Sequence, residues 1–246
     1  MEIQNSVVIV TGASEGIGEA TATMLAQNGA RLVLAARSAD KLARLADKLK
    51  AAEAEVIYLP TDIRDKGSVE QMIADAQQHF GRIDVLVNNA CQSVGGTIEK
   101  LEITDFQKVI ELNVFGVLYA MQAVIPVMRT QGGGLILNVS SMVSKLTLPW
   151  IGGYASTKSM LNQLSATARA ELAPDNIRVC LMFPRTTATH FRENGLNYSG
   201  AKPRPGVPIQ IDSAEAVAER ILEAIRTEPA EQYMENASAV MQGNPH

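Results

Sequence analysis

Short runs of β-branched residues alternate with longer segments of helical period along nearly the whole chain. This alternation is typical of βαβ units, in which parallel strands are buried between helices on both faces. It predicts an α/β fold built as one doubly wound parallel sheet, with a single domain over residues 1–246. The predicted strands are 6–10, 31–36, 55–59, 85–88, 135–139 and 178–183, with a weaker one at 232–234, and the predicted helices are 16–28, 39–52, 66–80, 104–129, 154–172 and 213–226. We expect Pro126 to kink the 104–129 helix or to end it early.

Composition limits the partners of such a domain. Lys and Arg number 22 against 26 Asp and Glu, which gives a net charge of −4, and no run of like charge forms a basic tract. We therefore expect neither nucleic acid nor an anionic membrane as a partner. Cys91 and Cys180 lie far apart and the histidines are scattered, so we expect no disulfide framework and no metal site. With no apolar run near the roughly 18 residues of a membrane span, the sequence predicts a soluble cytoplasmic protein.

One long stretch, residues 184–211, shows no periodicity and is rich in proline and glycine. Segments of this length in a compact domain are usually either functional lids or disordered. We expect a substrate lid here, within the same domain.

A glycine-rich loop follows the first predicted strand directly. It reads TGASEGIG over residues 11–18 and opens the first predicted helix. A tight turn, close approach to a diphosphate and close helix packing each need a residue without a side chain, and Gly12, Gly16 and Gly18 supply them. The loop therefore predicts a Rossmann-type, dinucleotide-binding sheet.

The glycine spacing is GxxxGxG rather than the more widespread GxGxxG. TGxxxGIG resembles the motif of the short-chain dehydrogenase/reductase family, in its short single-domain branch, and the resemblance runs from residue 6 to residue 189. It implies a nicotinamide dinucleotide held by the glycine loop and by the segments after the third, fourth and sixth strands. The residues that it assigns to the cofactor are Gly12, Ser14, Gly16, Ile17, Gly18, Asp62, Ile63, Asn89, Tyr154, Lys158, Pro184, Thr187 and Thr189.

Two positions depart from the family pattern, since Cys91 and Arg185 stand where the family has glycine. Arg185 could reshape the pocket beside the cofactor or meet an anionic group on the substrate, and the sequence does not decide between these. The departures also motivate a rival hypothesis, a dinucleotide-binding regulatory or scaffold protein without significant turnover.

The end of the second predicted strand indicates which dinucleotide binds. A carboxylate at that point usually accepts hydrogen bonds from the ribose 2′-hydroxyl, but this chain has Ala36 followed by Arg37. A guanidinium can bind a 2′-phosphate through charge-assisted hydrogen bonds, with help from Ser38. We predict NADP(H) as the preferred cofactor, with NAD(H) as the alternative. Arg37 could instead be a solvated residue at the start of a helix.

The candidate catalytic pair is Tyr154 and Lys158, four residues apart and hence on one helix face. Interconverting an alcohol and a carbonyl by hydride transfer moves one proton on the oxygen, and a free tyrosine has a pKa of about 10. Lowering that pKa by about three units needs about 4 kcal/mol, which a cation about 4 Å away supplies only in a partly dry cleft. By resemblance, Tyr154 is the general acid–base and Lys158 also holds the nicotinamide ribose. The resemblance also assigns Ser141 to the substrate oxygen and Asn113 to a water-linked proton path.

The sequence thus predicts an NADP(H)-dependent oxidoreductase that interconverts a ketone or aldehyde and an alcohol. An apolar set before Tyr154 favours a mainly hydrophobic substrate, although these residues could equally pack core or subunit contacts: Met142, Val143, Leu146, Leu148, Pro149, Trp150 and Ile151. The resemblance implies a homodimer or homotetramer formed through helices rich in small residues. A dehydratase or isomerase that uses the same tyrosine without net redox change is a further alternative.

Overall fold

The computed structural model describes residues 1–189, 191, 193–197 and 211–235. In these residues the strands are β1 (Val7–Thr11), β2 (Arg31–Ala36), β3 (Val56–Pro60), β4 (Val85–Asn88), β5 (Gly134–Val139), β6 (Ile177–Phe183), β7 (Thr186–Thr187), β8 (Ile211–Asp212) and β9 (Glu231–Tyr233). The α-helices are α1 (Gly16–Gln27), α2 (Ala39–Ala51), α3 (Lys66–Phe80), α4 (Ile103–Ile110), α5 (Gly116–Thr130), α6 (Gly152–Leu172) and α7 (Ala214–Thr227).

Seven strands form a parallel sheet in the order β3-β2-β1-β4-β5-β6-β9. β1 is central, and its Val8 pairs with Leu32 of β2 on one side and with Val85 of β4 on the other. The direction in which strands are added reverses between β1 and β4. In such sheets a crevice opens beyond the carboxyl ends of these two strands, where ligands bind.

Alternate side chains of β1 enter two separate hydrophobic cores. Val8 and Val10 pack with residues of α1, α2 and α7 on one face. Val7 and Ile9 pack with residues of α3, α5 and α6 on the other. The predicted fold class, a doubly wound parallel sheet with helices on both faces, is therefore confirmed.

The predicted 104–129 helix is divided in the structure. α4 ends at Ile110, a π-helical segment occupies Glu111–Phe115, and α5 continues from Gly116. Of the kink or early end expected at Pro126, the early end does not occur, because α5 runs on to Thr130. Residues on both sides of the proline are buried against the sheet, and this packing holds the helix together without the missing amide. Of the other predicted elements, β2, β4 and α3 have the predicted ends, and the rest differ from them by at most two residues.

The segment from α4 to α5 contradicts the expectation that no apolar run approaches the length of a membrane span. Within Ile103–Thr130, an 18-residue window has a mean hydropathy of 1.5, so the run is long and apolar enough to cross a membrane by length and composition. In the fold, Val117, Val124 and Met128 of this run are buried in the core beneath the sheet. The run therefore serves as a core helix in this structure.

A second, two-stranded ladder lies just beyond β6. Thr186 of β7 pairs with Ile211 of β8, and Thr187 pairs with Asp212. Neither strand is predicted from the sequence pattern, since two residues are too few to show periodicity. They lie at the two ends of the predicted 184–211 lid, of which residues 190, 192 and 198–210 are outside the described residues. The ladder joins the chain after β6 to the start of α7.

Candidate active site

The loop between β1 and α1 needs glycine at three points. Gly12 has φ of +66° and Gly16 has φ of +59°, in the left-handed region that side chains disfavour. A Cβ atom on Gly18 would lie 2.2 Å from the carbonyl oxygen of Gly12, so only glycine lets α1 begin this close to the turn. The result is a loop whose backbone a ligand can approach closely.

The amino-terminal end of α1 faces this loop, and the side chain of its N-cap residue, Glu15, makes no hydrogen bond to the helix amides. Asn89, just after β4, donates from Nδ2 to the carbonyl oxygens of Thr11 at 3.0 Å and Gly12 at 3.3 Å. The Thr11 hydroxyl in turn accepts from the backbone amides of Asn89 and Ala90. These bonds fix the loop and leave helix amides and a positive helix end available to an anion such as a diphosphate.

A cavity of about 540 Å³ extends from this loop across the carboxyl end of the sheet. Its volume falls in the usual range of ligand sites, about 300–1,000 Å³. The predicted site residues on its wall are Gly12, Ser14, Gly16, Ile17, Arg37, Asp62, Ile63, Asn89, Ser141, Tyr154, Pro184, Thr187 and Thr189. Gly18, Asn113 and Lys158 are not on the wall; they are buried behind it.

Charged side chains gather where β2 and β3 end. Asp62 is held by Arg64, whose Nε lies 2.9 and 3.1 Å from the two carboxylate oxygens. This pairing, with a smaller contribution from Arg37, lowers the pKa of Asp62. Arg37 itself is exposed on the cavity wall and has no hydrogen-bond or salt-bridge partner among the described residues. Nearby, Lys41 Nζ lies 2.7 Å from Glu15 of the glycine loop, so Arg37 is the cation at this end that remains unpaired in the described part of the chain.

Helix α6 places Tyr154 and Lys158 one turn apart. Tyr154 is 5% exposed and lines the cavity, and Lys158 is 2% exposed behind it. Lys158 Nζ lies 5.8 Å from the centroid of the Tyr154 ring and donates to the carbonyl oxygen of Val139 at 2.7 Å. Burial lowers the pKa of Lys158, and the nearby thiol of Cys91 opposes this shift. The pair thus places a buried amine one helical turn behind a phenol that lines the cavity.

Ser141 lies on the same wall, where the chain leaves β5. Its Oγ accepts from the amide of Val143 at 3.4 Å, and no described residue accepts a hydrogen bond from it. Its neighbour Ser140 donates to Asn162 Oδ1 of α6 at 2.5 Å. The loop that carries Ser141 is thus anchored to the helix that carries Tyr154.

Asn113 lies in the π-helical segment and is fully buried. Its side-chain oxygen accepts from the amide of Gln92 at 2.9 Å, and its nitrogen donates to the Gln92 carbonyl at 2.9 Å and to Thr157 Oγ1 at 3.1 Å. π-helical turns are frequent at functional sites, where they redirect a side chain. Here the turn directs Asn113 toward the backbone after β4 and fixes the cavity wall at Gln92.

The remaining wall comes from residues beyond β6. Asn194 accepts from Gln92 Nε2 through its backbone carbonyl at 2.7 Å and donates to Glu15 at 2.8 Å, so it connects the glycine loop with the segment after β4. Phe191 lies against Tyr154, with ring centroids 5.4 Å apart. Of the apolar set predicted for the substrate pocket, only Val143 and Ile151 line this cavity. The others do not, and Met142 packs into a small core with Leu181 and Phe183.

Comparison with known proteins places this geometry in a family. The model of the short chain dehydrogenase family matches residues 6–197. An uncharacterized oxidoreductase of Staphylococcus saprophyticus is 35% identical over 194 residues, which cover 78% of each chain. This chain belongs to the short-chain dehydrogenase family. The expected family and its oxidoreductase class are thereby confirmed.

Two solved structures of this family resemble the chain over most of its length. A short-chain dehydrogenase/reductase from Burkholderia phymatum in complex with NAD has a TM-score of 0.87 and 27% identity, covering 98% of this chain and 93% of that one. An alcohol dehydrogenase from Thermococcus sibiricus complexed with 5-hydroxy-NADP has a TM-score of 0.82 and 32% identity, covering 94% and 96%. Because these neighbours bind NAD and an NADP analogue, they support a nicotinamide dinucleotide without deciding which one.

The two departures from the family's glycines differ in their surroundings. Cys91 lies on the cavity wall without positive φ, so the backbone there does not require glycine. The guanidinium of Arg185 pairs with Asp212, at 2.9 Å and 2.7 Å, in a site where both side chains are 8% exposed. Neither residue prevents the dehydrogenase fold from forming its cavity.

Several residues on the cavity wall are not predicted from the sequence, among them Glu15, Lys41, Gln92, Phe191 and Asn194. Lys41 follows Arg37 by one helical turn, a spacing that could have drawn attention to it. The contacts of Asn194 join segments far apart in sequence, and no local pattern marks them. Among the described residues there is no group of three or more His, Cys, Asp or Glu side chains that could hold a metal ion.

Proposed function

We propose that this family member is an NADP(H)-dependent oxidoreductase that interconverts a ketone or aldehyde and an alcohol, with Tyr154 as general acid–base. The observation that carries the proposal is the pair of Tyr154 on the cavity wall and Lys158 buried one turn behind it. A bound NADP(H) would supply or accept the hydride. The glycine loop and the start of α1 fit the diphosphate, because both line the cavity and the N-cap residue of α1 makes no side-chain hydrogen bond to the helix amides.

Residues of this chain supply and remove the proton on the substrate oxygen. In the reducing direction the Tyr154 hydroxyl donates its proton to the substrate oxygen, and in the oxidising direction the phenolate removes it. The Ser141 hydroxyl, on the same wall, donates a hydrogen bond to that oxygen and stabilises its developing charge. Lys158 stabilises the phenolate electrostatically, since its ammonium is held against the Val139 carbonyl in a buried site where charges interact more strongly than in water.

Arg37 supports the preference for NADP(H). It is an exposed cation on the cavity wall next to Ala36, and no carboxylate occupies the end of β2 to repel a 2′-phosphate. We expect Arg37→Ala to weaken NADPH binding by about 10-fold or more, since a hydrogen bond to a charged group contributes about 1.5–3 kcal/mol. NADH binding should change little. Isothermal titration of both cofactors measures this, with Arg44→Ala, an exposed arginine of α2, as the matched control.

Tyr154→Phe tests the chemistry. The variant keeps the ring against Phe191 and removes the proton donor, so we expect turnover to fall about 10²–10⁴-fold while NADPH still binds. The assay is NADPH consumption with a panel of ketones and aldehydes, and Tyr119→Phe is the control, because Tyr119 is partly buried against the core and does not line the cavity. Turnover close to wild type in Tyr154→Phe would refute the mechanism. A wild type that binds NADPH but reduces no carbonyl would favour the regulatory or scaffold alternative.

The cavity supports a mainly apolar substrate. Beside Tyr154 its wall carries Phe191, Val143 and Ile151, with the Gln92 amide as a polar group. We propose a ketone or secondary alcohol whose substituent packs on these three side chains. We also propose a soluble, cytoplasmic homo-oligomer, and exposed apolar side chains on α6 support the self-association.

A further inference from the structure

We infer that the ion pair of Arg185 and Asp212 is a clamp that positions Thr186 and Thr187, which line the same cavity as Tyr154 and would contact the nicotinamide half of a cofactor whose reactive ring lies beside that tyrosine. This inference depends on the proposed function, because the two threonines contact a nicotinamide only if NADP(H) binds in the cavity. It also gives a role to Arg185, which stands where the family has a glycine.

The pair is the most buried ion pair of the described residues. Arg185 Nε lies 2.9 Å from one carboxylate oxygen of Asp212, and Nη2 lies 2.7 Å from the other. The third nitrogen, Nη1, donates to the backbone carbonyl of Glu235 at 3.1 Å. All three guanidinium nitrogens are therefore engaged within the protein, which argues against a role in binding an anionic group of the substrate.

Asp212 binds the chain beyond β6, which forms part of the cavity wall, at two points. Its side chain binds Arg185, and its backbone oxygen accepts from the amide of Ala188 at 2.9 Å. Between these two points lie Thr186 and Thr187, which line the cavity and form the β7 half of the ladder. The segment that presents these threonines is thus held at both ends by one residue.

Asp212 is itself fixed to a rigid part of the fold. The next residue, Ser213, caps α7 by accepting from the amide of Ala216 at 3.0 Å. α7 packs closely on α1, the helix that begins at the glycine loop. The clamp therefore sets the position of the threonine wall relative to the loop that would hold the diphosphate. A glycine at position 185 could not make this connection, because it has no side chain to reach Asp212.

If the ion pair positions the two threonines, its removal should weaken the binding of the nicotinamide half of the cofactor and leave the binding of the adenosine half unchanged. In Arg185→Met we expect NADPH binding to weaken about 10-fold, because misplaced threonines lose their contacts with the nicotinamide. Binding of ADP-ribose 2′-phosphate, which has no nicotinamide, should change less than about 2-fold. Asp212→Asn should behave in the same way, and the double variant should be no worse than Arg185→Met, since the two side chains act as one unit.

Isothermal titration with the two ligands, together with thermal unfolding, provides the measurement. Arg129→Met is the control, because it removes a surface ion pair elsewhere on the molecule, in which Arg129 Nε and Nη2 both donate to one carboxylate oxygen of Asp175. If Arg185→Met does not fold, Arg185→Lys, which keeps the charge but loses the bidentate geometry, carries the test with a smaller loss in the same direction.

An equal loss of both ligands would show a general structural role and overturn the clamp, as would unchanged NADPH binding. Failure of the proposed function looks different, because the wild type would then either bind neither NADPH nor NADH or bind cofactor without reducing any carbonyl. If the wild type prefers NADH, the pair of ligands becomes NADH and ADP-ribose, and the same comparison applies.

Discussion

Burial and charge oppose each other at Lys158. The side chain is 2% exposed, and burial lowers its pKa, yet the proposed chemistry needs its positive charge. The Val139 carbonyl at 2.7 Å offsets part of the desolvation cost by accepting from the ammonium. The dry surroundings that make the charge costly are also what make it effective on Tyr154, since the same charge in water would act weakly.

This opposition predicts how stability depends on pH. Because the pKa of Lys158 is lower in the folded chain, the unfolded chain binds more protons at pH values between the folded pKa and about 10.5. The free energy of unfolding therefore gains a contribution from Lys158 that increases as the pH rises through this window. Lys158→Met removes that contribution, so the wild type should gain stability relative to the variant as the pH approaches 10. Urea unfolding of both proteins at several pH values measures it, and parallel pH profiles would contradict the burial effect.

The glycine loop and the π-helical segment position the site in different ways. The loop depends on the absence of side chains, whereas the segment around Asn113 depends on one buried side chain that binds the backbone of Gln92. Both fix backbone at the end of a strand, so the cavity wall is set before any ligand arrives. Loss of either should reduce ligand affinity together with stability.

Gly18→Ala isolates the packing of α1 on its own loop. The new methyl group would meet the Gly12 carbonyl oxygen at 2.2 Å and the Asn89 amide nitrogen at 2.6 Å, so the loop must shift. We expect a loss of about 1–3 kcal/mol in the free energy of unfolding and a clear loss of NADPH affinity. Gly67→Ala, in α3, is the matched control, because its methyl group would meet only a carboxylate oxygen of the Asp65 side chain, at 3.3 Å, and no backbone atom. Chemical unfolding and NADPH titration of both variants decide the matter, and equal effects at the two positions would refute this account.

How much of the molecule the sequence predicts depends on the range of the interactions. The strand and helix pattern, the glycine loop and the Tyr154–Lys158 spacing are local, and they predicted the fold class and the family. The π-helical turn depends on a tertiary contact between Asn113 and Gln92, which periodicity does not reveal. The Arg185–Asp212 pair joins residues 27 positions apart, across the stretch without periodicity. Long-range polar contacts of this kind decide the shape of the cavity wall, and no local sequence pattern predicts them.

The surface of the whole molecule bears on its assembly. Met160 and Leu164 lie one turn apart on α6 and are 38% and 37% exposed, and Phe115, in the π-helical segment that contacts α6, is 47% exposed. Clustered apolar side chains on a soluble protein favour an interface, and a second copy would cover this face. We expect Leu164→Glu to shift the chain toward monomer, because a stable dimer cannot bury an unpaired carboxylate. Sedimentation equilibrium measures the change, with Tyr58→Glu on the edge strand β3 as the control that leaves the assembly intact. A wild type that is already monomeric, or a Leu164→Glu variant that associates as tightly as the wild type, would show that α6 is not the interface.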